Sequence, residues 1–467
     1  MIRKIFQKIN FKQLYKLFVV LLIFVEINQL KLNLEAHKLE LNKEILKLQN
    51  LSYFNIEKKI KMNNNIRIGI SVNKINVGGM QRETTLFLNY LKYSGIFELY
   101  LISLNIEEKE AFFVSEKIKR IFLKDENIYT LIRQIKKKKI DILIYQFPRE
   151  FEIRILNKIT NFKTIFYLHS SIFYWINWSF IFIKTIYKEY INSKYILSII
   201  PIENDFIFKK WGIKSIYMDN FISYEYKSIK PSDLSSKNII MLGRASNKFK
   251  RFYLGIQAME YITKEIPNCK MKVISDLNNT EFLQKTIINL NLNKYIEFVE
   301  FTTKPEIYFK NISLHIFPTI SEAFPLALCE TKIYGIPNIL LGLNYVSMSK
   351  GGTIIIYDEL TETIAKEAIK VLNNDIYRKI LGKEARLSMI KYNNKLLLKK
   401  WIKLIVSIYY GDFYYQKLLD EKKPISKRYA LNMLETQLNL IKKRKPQYHN
   451  ITVSDFLNYT FLQNINL

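Results

Sequence analysis

The sequence predicts an α/β protein with two Rossmann-like parallel sheets, one after the other along the chain. From Asn65 onward, short apolar segments alternate with helical segments, a pattern typical of parallel strands joined by crossover helices. The chain has 467 residues, more than one core of ordinary size accommodates. A polar stretch at 222–237, which contains Pro231, interrupts the alternation, and we expect the two halves to meet there.

The apolar segments predict five strands in the first half and six in the second. The expected first-half strands are Ile66–Val72, Leu99–Ser103, Ile140–Gln146, Thr164–Leu168 and Tyr195–Ile200. The expected second-half strands are Ile239–Leu242, Met271–Ile274, Ile296–Val299, Leu314–Phe317, Ile339–Leu341 and Thr353–Ile356. Residues 361–410 are expected to be helical, and the basic, aromatic tail after Gly411 gives no assignment.

These patterns divide the chain into four parts. We expect a helical extension at 1–62, Rossmann-like domains at 63–225 and 226–393, and a crossover helix with a basic tail at 394–467. In the extension, Lys4 to Lys16 supply lysines before nine apolar residues, Leu17 to Val25, whereas a membrane-spanning helix needs about twenty. This segment is interpreted either as an interfacial helix on a membrane or as a helix buried against the main body.

The formal net charge is +30, from 72 basic and 42 acidic residues. It reflects either a general compositional bias toward Lys, Ile, Asn and Tyr or attraction to a polyanion such as an anionic membrane surface. No zinc finger or aromatic-basic RNA motif accompanies the charge, so no nucleic-acid partner is expected. The two cysteines, Cys269 and Cys329, and the four histidines lack metal-ligand spacings, so no metal site is expected.

The segment SEAFPLALCETKIYGIP follows the predicted strand Leu314–Phe317 and carries two glutamates eight positions apart. Ser321 is expected to cap a helix. Of the two glutamates, Glu322 is expected in the loop after the strand and Glu330 within the helix. A strand, a short loop and a helix put both carboxylates at the carboxyl end of a strand, where open α/β sheets bind ligands.

Two further segments combine glycine with a helix start. Gly78 and Gly79 lie between a strand and a helix, and Gly243 follows the first strand of the second half. Glycine lets backbone amides approach a ligand closely, and a helix N-terminus favours an anion. The segment after Gly243 also supplies cations suited to a diphosphate: Arg244, Lys248, Lys250 and Arg251.

The order of these segments resembles the family-4 glycosyltransferases. It comprises GGMQR, then GR with a lysine six residues later, then two glutamates eight positions apart around FPL. The resemblance covers roughly residues 65–410 and implies the two-domain GT-B fold. It implies an acceptor in the first domain and a nucleotide-sugar donor in the second, UDP- or GDP-linked, as substrate rather than cofactor.

The resemblance also implies roles for individual residues. Arg244 and Lys250 would hold the donor diphosphate, Glu330 the nucleotide ribose, and Glu322 the sugar near the reacting centre. His169 would lie beside the transferring centre, although it is equally explained as a hydrogen-bonded histidine at a strand end. The remaining implied donor contacts are Gly79, Phe324, Pro325 and Leu326.

The activity that this implies is sugar transfer with retention of anomeric configuration, without a metal. With the basic surface, it suggests cell-surface polysaccharide or lipopolysaccharide biosynthesis on a glycan or lipid-linked acceptor, at the cytoplasmic face of the membrane. The chain departs from the family pattern at Gln81, where glutamate is usual, and at Arg251, where glycine is usual. Two alternatives remain: a nucleotide-sugar epimerase of the same fold, and a non-catalytic protein that binds a polyanion or membrane.

Overall fold

The computed structural model describes residues 66–458 except 74, 76–77, 105–110, 147, 179–185, 224–228, 246–248, 277–279 and 422–424. The predicted extension 1–62 and Lys248 therefore lie outside the described residues. The described chain forms two all-parallel sheets with helices, followed by a helical tail.

The first sheet has seven strands in the order β3-β2-β1-β4-β5-β6-β7. Its strands are β1 Ile66–Ser71, β2 Phe97–Leu104, β3 Lys119–Leu123, β4 Ile142–Tyr145, β5 Lys163–Leu168, β6 Tyr195–Ser198 and β7 Ile216–Tyr217. The sequence missed only β3 and β7, which are the two edge strands. An edge strand buries less surface, so a short one carries a weaker apolar signal. The helices of this domain are α1 Gly79–Tyr93, α2 Ile128–Lys137, α3 Glu150–Asn157 and α4 Ile172–Trp178, with short helical segments at Glu203–Ile207 and Phe208–Lys210.

The second sheet has six strands in the order β10-β9-β8-β11-β12-β13. They are β8 Ile239–Leu242, β9 Met271–Ser275, β10 Ile296–Glu300, β11 Leu314–Phe317, β12 Asn338–Leu341 and β13 Thr353–Ile356. All six predicted strands are present, each within one residue of its predicted ends. The helices here are α5 Phe252–Glu265, α6 Glu281–Asn289, α7 Leu326–Ile333, α8 Thr361–Asn373 and α9 Asp375–Ser388, with 3-10 turns at Leu234–Ser236 and Pro305–Tyr308.

The predicted cap at Ser321 is wrong, because α7 begins at Leu326 with Pro325 as its N-cap. A helix starting directly after Ser321 would place Pro325 in its second turn. A residue at that position donates its backbone N–H to the carbonyl oxygen four residues earlier, and proline has no N–H to donate. The helix therefore begins after Pro325. Residues 321–325 therefore form a loop at the end of β11, and both Glu322 and Phe324 belong to that loop.

The long helix α10, Asn394–Tyr410, returns from the second domain and packs on the first. Trp401 is fully buried, with its ring centroid 4.3 Å from that of Phe87 in α1 and 5.2 Å from that of Tyr167 in β5. Three further helices follow: α11 Phe413–Asp420, the tail helix α12 Lys427–Arg444, and α13 Val453–Asn458.

The tail contacts both domains. In α11, the Tyr415 hydroxyl accepts a hydrogen bond from the backbone N–H of Ile196 in β6, at 3.1 Å. In α13, the ring of Phe456 lies 5.5 Å from that of Trp211 in the first domain. Between them, the side-chain amide of Gln437 in the tail helix donates to the carbonyl oxygen of Gly342, after β12. Within the described part of the chain, no helix combines the length and hydrophobicity that crossing a bilayer requires.

Replacing Trp401 with alanine tests the packing of α10 on the first domain. Removing this buried ring leaves a cavity, so we expect the free energy of unfolding in urea to fall by about 3–5 kcal/mol. The indole N–H of Trp401 has no hydrogen-bond partner among the described residues, so Trp401→Phe should cost much less. Tyr410→Ala is the control on the same helix, because that side chain is 45% exposed. Equal losses for Trp401→Ala and Tyr410→Ala would contradict this packing.

Candidate active site

The site follows from the order of the strands. In the first sheet β1 lies between β2 and β4, and in the second sheet β8 lies between β9 and β11. In each sheet, the strands that directly follow the central strand in the sequence lie on one side of it, and the later strands lie on the other side. A crevice opens at the carboxyl ends of the strands where the order reverses. A cavity of about 350 Å³ lies there and is lined by residues of both domains.

All nine residues predicted for the site line this one cavity, although the first and last of them are 251 positions apart in the sequence. They are Gly79, His169, Arg244, Lys250, Glu322, Phe324, Pro325, Leu326 and Glu330. The parallel topology brings them together, because each follows the carboxyl end of a central strand or lies on the helix after it.

The first-domain side of the cavity begins with the glycine pair. Gly79 is the first residue of α1, and a Cβ there would meet open space. A Cβ on Gly78 would lie 2.2 Å from the Oε1 of Gln81, a contact that this flexible side chain can relieve by moving. The first-turn amides of α1 therefore lie beside the cavity at a helix end that favours negative charge.

The second-domain side is built around two loops. Gly243 directly follows β8 with φ of +142°, a conformation that side chains other than glycine rarely adopt. Arg244 follows it and is exposed at the cavity. The ammonium group of Lys250 forms an ion pair with the carboxylate of Glu322 from the loop after β11.

Tyr345 holds the Glu322 loop in place. Its hydroxyl accepts a hydrogen bond from the backbone N–H of Glu322 at 3.0 Å and lies 3.3 Å from the hydroxyl of Ser321. The Tyr345 ring is buried, 4.5 Å from the ring of Phe173 in the first domain. Sequence reasoning missed Tyr345, because it lies in a loop after β12, distant from any motif.

Glu330 lies on α7 with 4% of its surface exposed. Burial raises the pKa of this carboxyl, and the Arg82 guanidinium opposes that increase. The Nη1 of Arg82, on α1 of the first domain, lies 2.5 Å from the Oε1 of Glu330. This ion pair crosses the cavity from one domain to the other. Arg82 belongs to the GGMQR segment, but Gly79 was the one residue of that segment predicted to lie in the site.

His169 is buried at the end of β5, with its Nε2 3.7 Å from the Oε2 of Glu83 in α1. Burial lowers the pKa of His169 to about 3 and raises the pKa of Glu83 to about 8, despite the opposing effect of the backbone amide of Phe221. At neutral pH the imidazole is therefore uncharged and the carboxyl mostly protonated. The Nε2 of His169 makes no hydrogen bond to a described group.

The start of α7 completes the cavity. Phe324 and Pro325 precede the helix, and Leu326 and Ala327 in its first turn line the cavity. The N–H groups of Leu326 and Ala327 have no acceptor within their own helix and are therefore available to a ligand, whereas that of Leu328 donates to the carbonyl oxygen of Pro325 at 3.1 Å. Among the residues that the structure describes, no group of three or more His, Cys, Asp or Glu side chains is placed to hold a metal ion.

Residues 224–388, which include the second sheet, match the family model described as "Glycosyl transferases group 1". An "Uncharacterized glycosyltransferase" of Haemophilus influenzae is 21% identical over 199 residues, covering 42% of this chain and 55% of that protein. The "Poly(ribitol-phosphate) alpha-N-acetylglucosaminyltransferase" of Staphylococcus aureus is 24% identical over 164 residues, covering 34% of this chain and 33% of that protein. The matches thus span about half and one third of these relatives' lengths.

Among solved structures, the sucrose-phosphate synthase of Thermosynechococcus elongatus superimposes with a TM-score of 0.62 at 13% identity. The superposition covers 73% of this chain and 99% of that one. Two parallel Rossmann-like domains with a cleft between them define the GT-B class of fold, which the chain adopts. The family-model match of residues 224–388 and the GT-B fold confirm the resemblance seen in the sequence.

Glu83→Gln tests the protonation of this buried carboxyl. Because the pKa of Glu83 is raised from 4.5 to about 8 by folding, its neutral form supports the fold fully below pH 4.5. That contribution is lost as pH rises toward 8, since the unfolded chain ionises first. The neutral glutamine variant lacks this loss, so its melting temperature relative to wild type should rise steadily between pH 5 and pH 8.

The matched control is Glu116→Gln, because Glu116 is exposed. It should follow the wild-type melting curve across the same pH range. A Glu83→Gln variant that also parallels wild type would show that Glu83 is ionised in the folded protein.

Proposed function

We propose that the protein transfers a sugar from a nucleotide-sugar donor to a glycan or lipid-linked acceptor with retention of configuration and without a metal. One observation carries this proposal. Two cations, two carboxylates and the first turn of α7 share one wall of the cleft, and the start of α1 lies on the opposite domain. This set suits a ligand with a diphosphate, a ribose and a sugar.

The cations serve the leaving group. Cleavage of the sugar–phosphate bond leaves negative charge on a nucleoside diphosphate, and fixed positive groups stabilise that charge. Arg244 and Lys250 supply full charges, and the first-turn amides of α7 supply partial ones. When a diphosphate takes Lys250, Glu322 loses its ion-pair partner and becomes available to the sugar. We assign Glu322 this orienting and electrostatic role, not that of a covalent nucleophile.

Glu330 would bind the ribose. A carboxylate has two oxygens and accepts hydrogen bonds from both ribose hydroxyls. One of these oxygens contacts Arg82 in the present arrangement, so donor binding must share or displace that contact. His169 would meet the sugar as a neutral hydrogen-bonding group, because burial keeps its pKa near 3.

The acceptor is proposed to be anionic or carried on an anionic surface. The net charge of +30 attracts polyanions, and the S. aureus relative is named for transfer to poly(ribitol-phosphate), a polyanion. This also supports a place at the cytoplasmic membrane face, in the synthesis of a cell-surface glycan. UDP- and GDP-sugars are both candidate donors.

A ligand panel followed by product analysis tests the proposal. UDP- and GDP-sugars are screened by thermal shift, because a ligand that binds the folded state raises its melting temperature. The stabilising donor is then incubated with and without a lipid-linked or polymeric acceptor, and the anomeric configuration of the product is read by NMR. An isomerised sugar formed from the donor alone would favour an epimerase, and steeply salt-dependent polyanion binding without donor binding would favour a non-catalytic protein.

Lys250→Ala should lower kcat by about 10²–10³-fold, because a positive group facing the leaving diphosphate stabilises the transition state. The measurement is the steady-state release of nucleoside diphosphate. Lys264→Ala is the control, since Lys264 is an exposed lysine on α5, the helix that follows the Lys250 loop. Near wild-type turnover in Lys250→Ala would show that the diphosphate lies elsewhere.

Glu330→Ala should remove recognition of the ribose. Wild type should bind UDP at least about tenfold more tightly than 2′,3′-dideoxy-UDP, because the site's carboxylate loses its partners in the deoxy ligand. In calorimetric titration, the variant should bind both ligands equally weakly. If the panel selects GDP, then GDP and 2′,3′-dideoxy-GDP are compared instead. An unchanged preference for the ribose hydroxyls in the variant would reject the assignment of Glu330.

A further inference from the structure

The segment that presents Lys250 is fastened on both sides to the chain that follows β11. The carbonyl oxygen of Phe249 accepts hydrogen bonds from the backbone N–H of Ile320 at 3.0 Å and the hydroxyl of Thr319 at 3.1 Å. On the other side of Lys250, the Nε of Arg251 donates to the carbonyl oxygen of Pro318 at 3.0 Å. The position of Lys250 between these anchors therefore depends on where the Arg251 side chain is held.

Arg251 is held by Glu359. Its two terminal nitrogens contact the two carboxylate oxygens of Glu359 at 2.8 and 3.2 Å, a bidentate pair. Both residues have left-handed backbones, with φ of +48° for Arg251 and +61° for Glu359. That conformation is unfavourable for a residue with a side chain, so the surrounding contacts must enforce it. The pair provides such a contact and explains how arginine occupies a position where glycine is usual.

A second cation reaches the same carboxylate from the tail helix. Arg444, in the last turn of α12, donates to the Oε1 of Glu359 at 2.6 Å. Its side chain is 17% exposed, that of Glu359 is 13% exposed and that of Arg251 is 8% exposed, so the three charges are shielded from water. Water screening is weak at such sites, and each partner therefore affects the others more than on a surface.

We propose that Arg444 is a positioning residue for the donor diphosphate, acting through Glu359 and Arg251 on Lys250. Arg444 fixes the orientation of the Glu359 carboxylate. That carboxylate fixes Arg251, and Arg251 holds one side of the segment that carries Lys250. The inference rests on the proposed donor site, and it assigns the C-terminal tail a role in the reaction beyond packing against both domains.

The test compares ligands with and without phosphates on the full-length chain. In Arg444→Ala, the Kd for UDP should rise about tenfold, whereas the Kd for uridine should stay within about twofold of wild type. GDP and guanosine replace them if the donor panel selects guanine. If the role of Arg444 were purely structural, the variant would bind both ligands more weakly to the same degree or would bind both as wild type does.

A double-mutant cycle with Lys250 sharpens the test. If Arg444 acts through Lys250, then adding Arg444→Ala to Lys250→Ala should change the Kd for UDP by less than about twofold. Lys443→Ala is the matched control, because Lys443 is an exposed cation on the same turn and should leave binding unchanged. Arg444→Lys keeps the charge without the planar fork and should give an intermediate Kd; it also serves if the alanine variant does not fold.

The outcomes separate the two claims. If wild type binds UDP or GDP and Arg444→Ala has the same Kd as wild type, the role of Arg444 is overturned and the proposed function stands. The same holds if the effects of Arg444→Ala and Lys250→Ala on the Kd are additive. Wild type that binds neither nucleotide would overturn both.

Discussion

The ion pair between Arg82 and Glu330 joins the two domains across the cleft. Glu330 is buried, and a buried carboxylate is costly unless a cation compensates it. The compensating group comes from α1, so the arrangement of the cleft depends on the first domain facing the second at this point. The same logic applies at Glu322, whose carboxylate is paired with Lys250. Both acids of the site are thus held in place by cations, and a donor that supplies hydroxyls and phosphates can take over these contacts.

The helices after residue 393 help to hold the two domains opposite each other across the cleft. Helix α10 packs Trp401 into the first domain, and the tail continues to α13, which packs there again through Phe456. Between these contacts the tail helix reaches Gly342 and Glu359 of the second domain. The tail therefore spans both sides of the cleft. Its contact with Glu359 links the tail to the Lys250 segment and so to the proposed phosphate site.

Much of this arrangement could be predicted from the sequence. The second-sheet strands were predictable because they are largely apolar runs between turn signals, and β8, β11 and β12 are buried along their whole length. The edge strands β3 and β7 were not, because one begins with Lys119 and Arg120 and the other has two residues. The nine residues predicted for the site line one cavity because the motifs follow central strands, and a parallel sheet places such positions at one edge.

The partners of those residues could not be predicted. Arg82, Tyr345, Glu359 and Arg444 contact the site or its supporting loops through tertiary packing, with sequence separations of 23 to 248 positions from their partners. Charge and burial at such positions depend on the folded arrangement and leave no local pattern. The start of α7 was misplaced for a different reason, since Ser321 is a good capping residue but Pro325 overrides it.

A crystal structure of the chain with bound UDP or GDP would show whether a nucleotide replaces the two ion pairs of the cleft. We expect the diphosphate between Arg244, Lys250 and the first turn of α7, with the ribose hydroxyls on Glu330. Arg82 should then have moved from its present contact. Two observations would contradict this expectation. One is nucleotide density outside the cleft, and the other is nucleotide density inside it while Glu330 still pairs only with Arg82 and Lys250 only with Glu322.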